Sequence, residues 1–122
     1  MSKRTCVDYI KDIISELERI ERFVGNMSYK EFINDEKTIY AVVRCFEVLG
    51  EAVKNIPDEI RNKYPEIPWK RIADMRNKLI HEYFGDDYDM LWGTIKRRVP
   101  ELKPIMYKLL KSRGIRLIHS LL

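Results

Sequence analysis

"IYAVVRCFEVLGEAVKN", residues 39–55, decides the fold class. Ile39, Val42, Val43, Phe46, Leu49 and Val53 return at steps of three and four, the signature of a helix with one apolar stripe. Gly50 falls on that stripe, where a missing side chain lets another helix approach closely. Tyr40, Arg44, Glu47 and Glu51 form a polar ridge on the opposite side. It reads equally as a solvated face with i,i+3 and i,i+4 pairs and as part of a functional surface. Asn34 or Asp35 can cap this helix at its start, and it runs to about Asn55.

Working outward, the same period recurs on both sides. Upstream, Ile10, Ile13, Ile14, Leu17, Ile20 and Val24 form a second stripe, started by Thr5 with Asp8 and stopped at Gly25-Asn26. Ser28 with Glu31 repeats the capping pattern and opens a short turn of helix through Phe32 and Ile33. Downstream, "IPDEIRNKYPEIPW" (56–69) is a short helical turn between prolines. Pro68 then starts a helix that ends at Gly85. Asp86 or Asp87 restarts the chain into a last long helix, in which Pro100 and Pro104 predict a kink or a break into two pieces. The tail from Gly114, residues 114–122, is left without a conformation, and His119 within it without a role. No strand-like alternation, internal repeat or linker is visible. The expectation is one all-α domain over 1–122, an antiparallel bundle of four to five helices.

Composition agrees and excludes several classes. At 122 residues, 45% hydrophobic and 34% charged, the chain is expected to be a soluble single domain rather than a disordered or fibrous one. No apolar run is long enough to span a membrane, and charges scattered through residues 1–20 argue against a signal peptide. Cys6 and Cys45 lack zinc-site spacing and read as small apolar residues of a reducing cytoplasm. A net charge of +4 permits a polyanionic partner without demanding one.

The chemistry concentrates in "MRNKLIHEYF", residues 75–84. On a helical wheel Trp69, Ile72, Ala73, Met75, Leu79, Ile80, Tyr83 and Phe84 occupy about half the circumference. That arc is wider than one core contact needs, which suggests that part of it meets another subunit. Arg76 lies in its middle. A guanidinium there must snorkel, meet an acidic partner such as Glu47 or Glu51, or face a wet cleft that an anion can enter.

His81 lies five residues on, roughly 140° around an ideal helix, so one straight helix cannot aim both groups at one atom. Asn77 and His81 are i,i+4 neighbours, with Asp74 on the same ridge. Either the helix ends or bends near His81, or a second copy supplies the complement at a two-fold contact. An arginine fork suits phosphate, and an imidazole titrating near neutrality suits proton transfer. Neither a glycine-rich phosphate loop nor an acidic metal cluster is recognisable, so no cofactor or metal is expected. The combination fits metal-independent cleavage of RNA, in which the neighbouring 2'-hydroxyl attacks phosphorus.

The residues also resemble a known family. Arg76, Asn77, His81 and Tyr83 match R-x-x-x-x-H-x-Y with asparagine after the arginine, and "AVVRCFEVLGEAV", "IPWKRIADMRNKLIHEYF" and the later Trp92 agree with its pattern. From the first helix to about Lys111 the chain resembles HEPN-domain proteins of the HepT type, toxins of the HepT–MntA toxin–antitoxin pair.

The resemblance implies a homodimer whose motifs meet at the interface. It implies a metal-independent endoribonuclease in which Arg76 and His81 carry catalysis and Asn77 orients the histidine or the phosphate. It further implies that Tyr83 accepts AMP from a partner, an MntA-like nucleotidyltransferase, which silences the toxin by placing phosphate beside the arginine. Glu47 and Glu51 could support Arg76 or the fold. The competing reading is a non-catalytic helical partner that docks a nucleotidyltransferase or presents a nucleotide.

Overall fold

The computed structural model describes the backbone of residues 4–81 and 87–121 and the side chains of residues 4–79 and 87–112. Within them the chain forms six helices and no strand: α1 (Cys6–Val24), α2 (Tyr29–Ile33), α3 (Glu36–Lys54), α4 (Asp58–Lys63), α5 (Trp69–His81) and α6 (Tyr88–Leu121). Four are long, and α2 and α4 are the short turns expected between them.

The helix starts are set by local side-chain chemistry. Thr5 with Asp8 and Ser28 with Glu31 form reciprocal capping boxes on α1 and α2. The Asp35 carboxylate accepts from the Thr38 amide to start α3, and the Asp87 carboxylate accepts from the Met90 amide to start α6. Gly25 ends α1 at φ 53°, a conformation that costs a β-carbon-bearing residue energy. The expected stop of α5 at Gly85 and the alternative start at Asp86 lie outside the described residues.

α3 packs against α1 on one side and α5 on the other, and α1 also packs against α6. Glu16 lies beside Cys45 while Tyr9 shares a hollow with Asn55, so α1 and α3 run antiparallel. Lys103 bonds Glu21 at 2.7 Å and Tyr107 bonds Glu18 at 2.8 Å, so α1 and α6 are antiparallel too. The core takes Ile10, Ile13, Leu17 and Ile20 from α1, Val42, Phe46, Leu49 and Val53 from α3, and Leu91, Val99, Met106 and Leu109 from α6. Of the α3 stripe only Val43 is half-buried rather than buried. Burying each such side chain contributes on the order of 1.5–3 kcal/mol before conformational entropy is set against it.

The last helix settles two points that the sequence leaves open. α6 runs as one helix through Pro100 and Pro104, so of the expected kink or break into two pieces the break does not occur. Both prolines are exposed, four residues apart on one face, while Val99, Leu102 and Met106 on the other side are buried. The carbonyls that lose a partner, on Lys96 and Pro100, therefore lie on the watered side, and apolar packing holds the helix through the defect. The same helix carries the tail, whose conformation the sequence does not specify, as far as Leu121.

Cys45 is buried and Cys6 half-buried. Burial first, and then the neighbouring Glu16 carboxylate, push the Cys45 thiol up to about 12. Glu16 itself is buried and ion-paired to Arg19. Trp92 packs on Phe32 of α2, with ring centroids 5.1 Å apart, and so ties α6 to the short helix. No helix of the described residues is long and apolar enough to cross a membrane.

Candidate active site

The launch of α5 is anchored to the end of α3. Arg61 donates from Nε to the Ile56 carbonyl at 3.1 Å and from Nη2 to the Val53 carbonyl at 2.7 Å. A cation thus satisfies the carbonyl end of α3, where the helix dipole favours positive charge. The Trp69 indole donates to the Tyr64 carbonyl at 3.0 Å, and Ile72 N–H reaches the Pro68 carbonyl, opening α5 one residue after that proline. Trp69, Ile72, Ala73 and Leu79 are buried in the protomer's own core, with Met75 half-buried against it. The described part of the wide apolar arc is therefore used within one chain. Ile80, Tyr83 and Phe84, its remainder, lie beyond the described side chains.

Arg76 meets α3 at Gly50. A Cβ placed on Gly50 would stand 2.3 Å from the Arg76 Cβ, 3.1 Å from its Cγ and 3.3 Å from its Cδ. The arginine stem lies across the notch that the glycine leaves, which resolves why a cation sits on an apolar arc. Its methylenes pack on backbone while its head emerges at the edge of the bundle.

There Nε is 3.1 Å from Glu51 Oε2, and Nη1 donates to Asn77 Oδ1 at 3.2 Å. The Asn77 oxygen also accepts from Lys54 Nζ at 3.4 Å. Among the described residues no acceptor takes the Nη2 hydrogens. The Arg76 side chain is 27% exposed and that of Glu51 56%. An ion pair this wet contributes less than about 1 kcal/mol to stability, so its principal effect is to orient the fork.

The guanidinium opens on a hollow of about 290 Å³ between α1, α3 and α5, walled by Tyr9 and Asp12 on one side and Arg44, Glu47 and Glu51 on the other. Each carboxylate has a cation of its own: Asp12 pairs with Arg4, Glu47 with Arg44 at 3.3 Å, and Glu51 with Arg76. Of the two glutamates weighed as partners for Arg76, Glu51 makes the contact. Glu47 shares the hollow but is engaged by Arg44, the i,i+3 pairing expected of the polar ridge. Asp74 is not brought to this hollow. It is exposed and borders a separate trough between α5 and α6. His81 is the last residue of α5, and its side chain, like the whole of Tyr83, lies outside the described residues.

Three contributors went unread in the sequence: Tyr9, Asp12 and Lys54. Nothing local marks them, because they reach the site only through the packing of α1 and α3 onto α5. A group of three or more His, Cys, Asp or Glu side chains placed to hold a metal does not occur among the described residues.

An arginine fork at the edge of a polar hollow has the donor geometry that suits a phosphate-sized anion. Comparison with known proteins specifies the chemistry. The description of the "Ribonuclease HepT-like" family matches residues 13–109, which contain Gly50, Glu51, Arg76 and His81. The chain belongs to this family. It is thereby a ribonuclease by class.

Named relatives agree with the HepT-like assignment. A "Putative RNase" of Methanocaldococcus jannaschii is 51% identical over 112 residues, covering 92% of this chain and 93% of the relative. A second from the same organism is 50% identical over 112 residues, 92% of this chain and 97% of the relative. A "Probable ribonuclease HepT" of Thermococcus cleftensis is 47% identical over 109 residues, 89% of this chain and 99% of the relative. No solved structure matches the chain.

Proposed function

We propose that this HepT-like chain is a metal-independent endoribonuclease that works as a homodimer, with Arg76 and His81 of both copies meeting in one cleft. The observation that carries the reading is the Arg76 fork, seated on Gly50, fixed by Glu51 and Asn77, and turned outward with hydrogens to offer. In this reading the 2'-oxygen of one nucleotide attacks the adjoining phosphorus and loses its proton to one imidazole. The bond to the 5'-oxygen breaks, and that oxygen takes a proton from the other imidazole. Arg76 meets the charge that grows on the phosphoryl oxygens. The products are a cyclic phosphate and a free 5'-hydroxyl. Asn77 holds Arg76, and Glu51 is its orienting carboxylate.

We further propose that the enzyme is a cytoplasmic toxin silenced by a partner nucleotidyltransferase. The Tyr83 oxygen would attack the α-phosphorus of ATP, forming a tyrosyl–AMP bond and releasing pyrophosphate. The added phosphate would lie seven residues from Arg76 and compete for its fork. The test is growth on induction of the chain with and without a nucleotidyltransferase of the same genome. Wild type should arrest growth and His81→Ala should not. Co-expression should restore growth to wild type but not to Tyr83→Phe. Arrest that persists in His81→Ala removes the active site as drawn. RNA binding without cleavage under any condition would favour a non-catalytic helical partner.

A further inference from the structure

The α5 face turned away from Gly50 borders a trough that the site above does not use. Its floor is apolar: Ile72 and Met75 from α5, Met90 and Leu102 from α6, enclosing about 270 Å³. Arg71 and Lys78 rise on one bank and Arg98 on the other. The hollow continues at both ends. Towards the start of α5 it shares Pro68, Arg71 and Asp74 with a hollow reached by Lys70, and along α6 it shares Met90, Thr94 and Arg98 with one reached by Arg97.

Among the described residues the charge along this line is only partly compensated. Arg98 pairs with Glu101 at 3.2 Å, but among the described residues Lys70, Arg71, Lys78 and Arg97 pair with no carboxylate. Asp74 lies at helical spacing from Lys70, Arg71 and Lys78 and still bridges none of them. Among the described residues, four exposed cations against Asp74 and, in the adjoining hollow, Asp89 make this line net positive.

An apolar floor between cationic banks fits a chain of alternating flat rings and phosphates. We propose that the trough is a path for single-stranded RNA flanking the cleaved bond, with a base on Met75 and Met90 and phosphates on Arg71, Lys78 and Arg97. The proposal rests on the ribonuclease reading for the kind of polymer. Position supports it: Asn77 bonds Arg76 on one flank of α5, and Lys78, next in the chain, borders the trough on the other. A strand crossing α5 would meet both. A second copy of this chain suits the trough less well, because a two-fold contact sets a patch against itself and would oppose these cations to one another.

The probe is a 2'-O-methyl oligouridine, which cannot be cleaved by attack of its own 2'-oxygen. Its binding is followed by fluorescence anisotropy across a salt series, against wild type and the triple variant Arg71→Gln, Lys78→Gln, Arg97→Gln, with sedimentation of both. The variant should bind roughly tenfold or more weakly, and its salt dependence should flatten by about two, at about 0.7 per lost phosphate contact on a single strand. Thiouridine placed in the same oligonucleotide should cross-link wild type within 70–78 or 90–98. Unchanged affinity and salt slope, or cross-links confined elsewhere, overturn the path. A wild-type dimer that falls to monomers in the variant assigns the trough to a second copy and also overturns it. Weakened binding by the variant, beside a wild type that binds but cleaves no RNA, supports the path while removing the nuclease mechanism, so the two claims fail separately.

Discussion

The Arg76 stem lies against the bare α-carbon of Gly50 on α3, where a methyl group would stand 2.3 Å from the Arg76 Cβ. The clashing atom sits next to the α5 backbone and cannot swing aside as a side-chain tip could. Gly50→Ala should therefore push α5 off α3. We expect a stability loss of about 1–3 kcal/mol, the usual range for overpacking, read from chemical denaturation. RNA cleavage should fall further than the change in folded fraction explains. Full activity in a folded Gly50→Ala protein would show that the close approach does not place the arginine.

Glu51 holds Arg76 from a wet position, so its removal should separate orientation from stability. Glu51→Ala should shift the unfolding midpoint little, by less than about 1 kcal/mol. Its turnover should drop by roughly tenfold or more. Glu51→Gln keeps an oxygen facing Nε and should recover part of that loss. Equal effects of both variants on folding and none on turnover would make the pair purely structural.

The helix caps set an acid limit. A backbone amide, before any other cause, holds each of Asp8, Glu31 and Asp35 below its ordinary carboxyl value, through Thr5, Ser28 and Thr38 respectively. With these values depressed in the fold, the unfolded chain binds more protons, so stability falls as pH falls. The contribution is present above the ordinary carboxyl values of 3.8 and 4.5 and is lost as pH drops through the lower folded ones. Urea unfolding followed at pH 6 and at steps below pH 4 should show this decline. Asp35→Asn, which caps without ionising, should flatten it.

Cys45 should be inert. With its thiol pushed up to about 12 by burial and by Glu16, alkylation at pH 8 should leave it unmodified in the native protein and label it in denaturant. Rapid native labelling of Cys45 would contradict the packing of α1 on α3.

Much of this architecture is written in short-range chemistry. Thr5 with Asp8, Ser28 with Glu31, Asp35 and Gly25 each fix a helix end through neighbours within a few residues, so the sequence displays them directly. Gly50 was legible as a place of close approach, because a glycine on an apolar stripe has few other uses. The helix that fills it was not, since only tertiary packing brings α5 there. For the same reason the sequence narrowed Arg76 to Glu47 or Glu51 but could not choose. Asp74 shares a wheel ridge with Asn77, yet the roll of α5 turns it to the α6 side. The prolines of α6 leave a kink and a break equally open in the sequence, because their cost depends on which face they occupy, and that face is decided by packing on α1.

RNA cleavage in the presence of EDTA, by purified wild type, Arg76→Ala and His81→Ala at matched protein concentration, tests the central claim most directly. Wild type should cut single-stranded RNA to fragments ending in a cyclic phosphate, and both variants should stay folded and dimeric while losing at least about a hundredfold in rate. Cleavage at wild-type rate by either variant, or cleavage that EDTA abolishes, would contradict it.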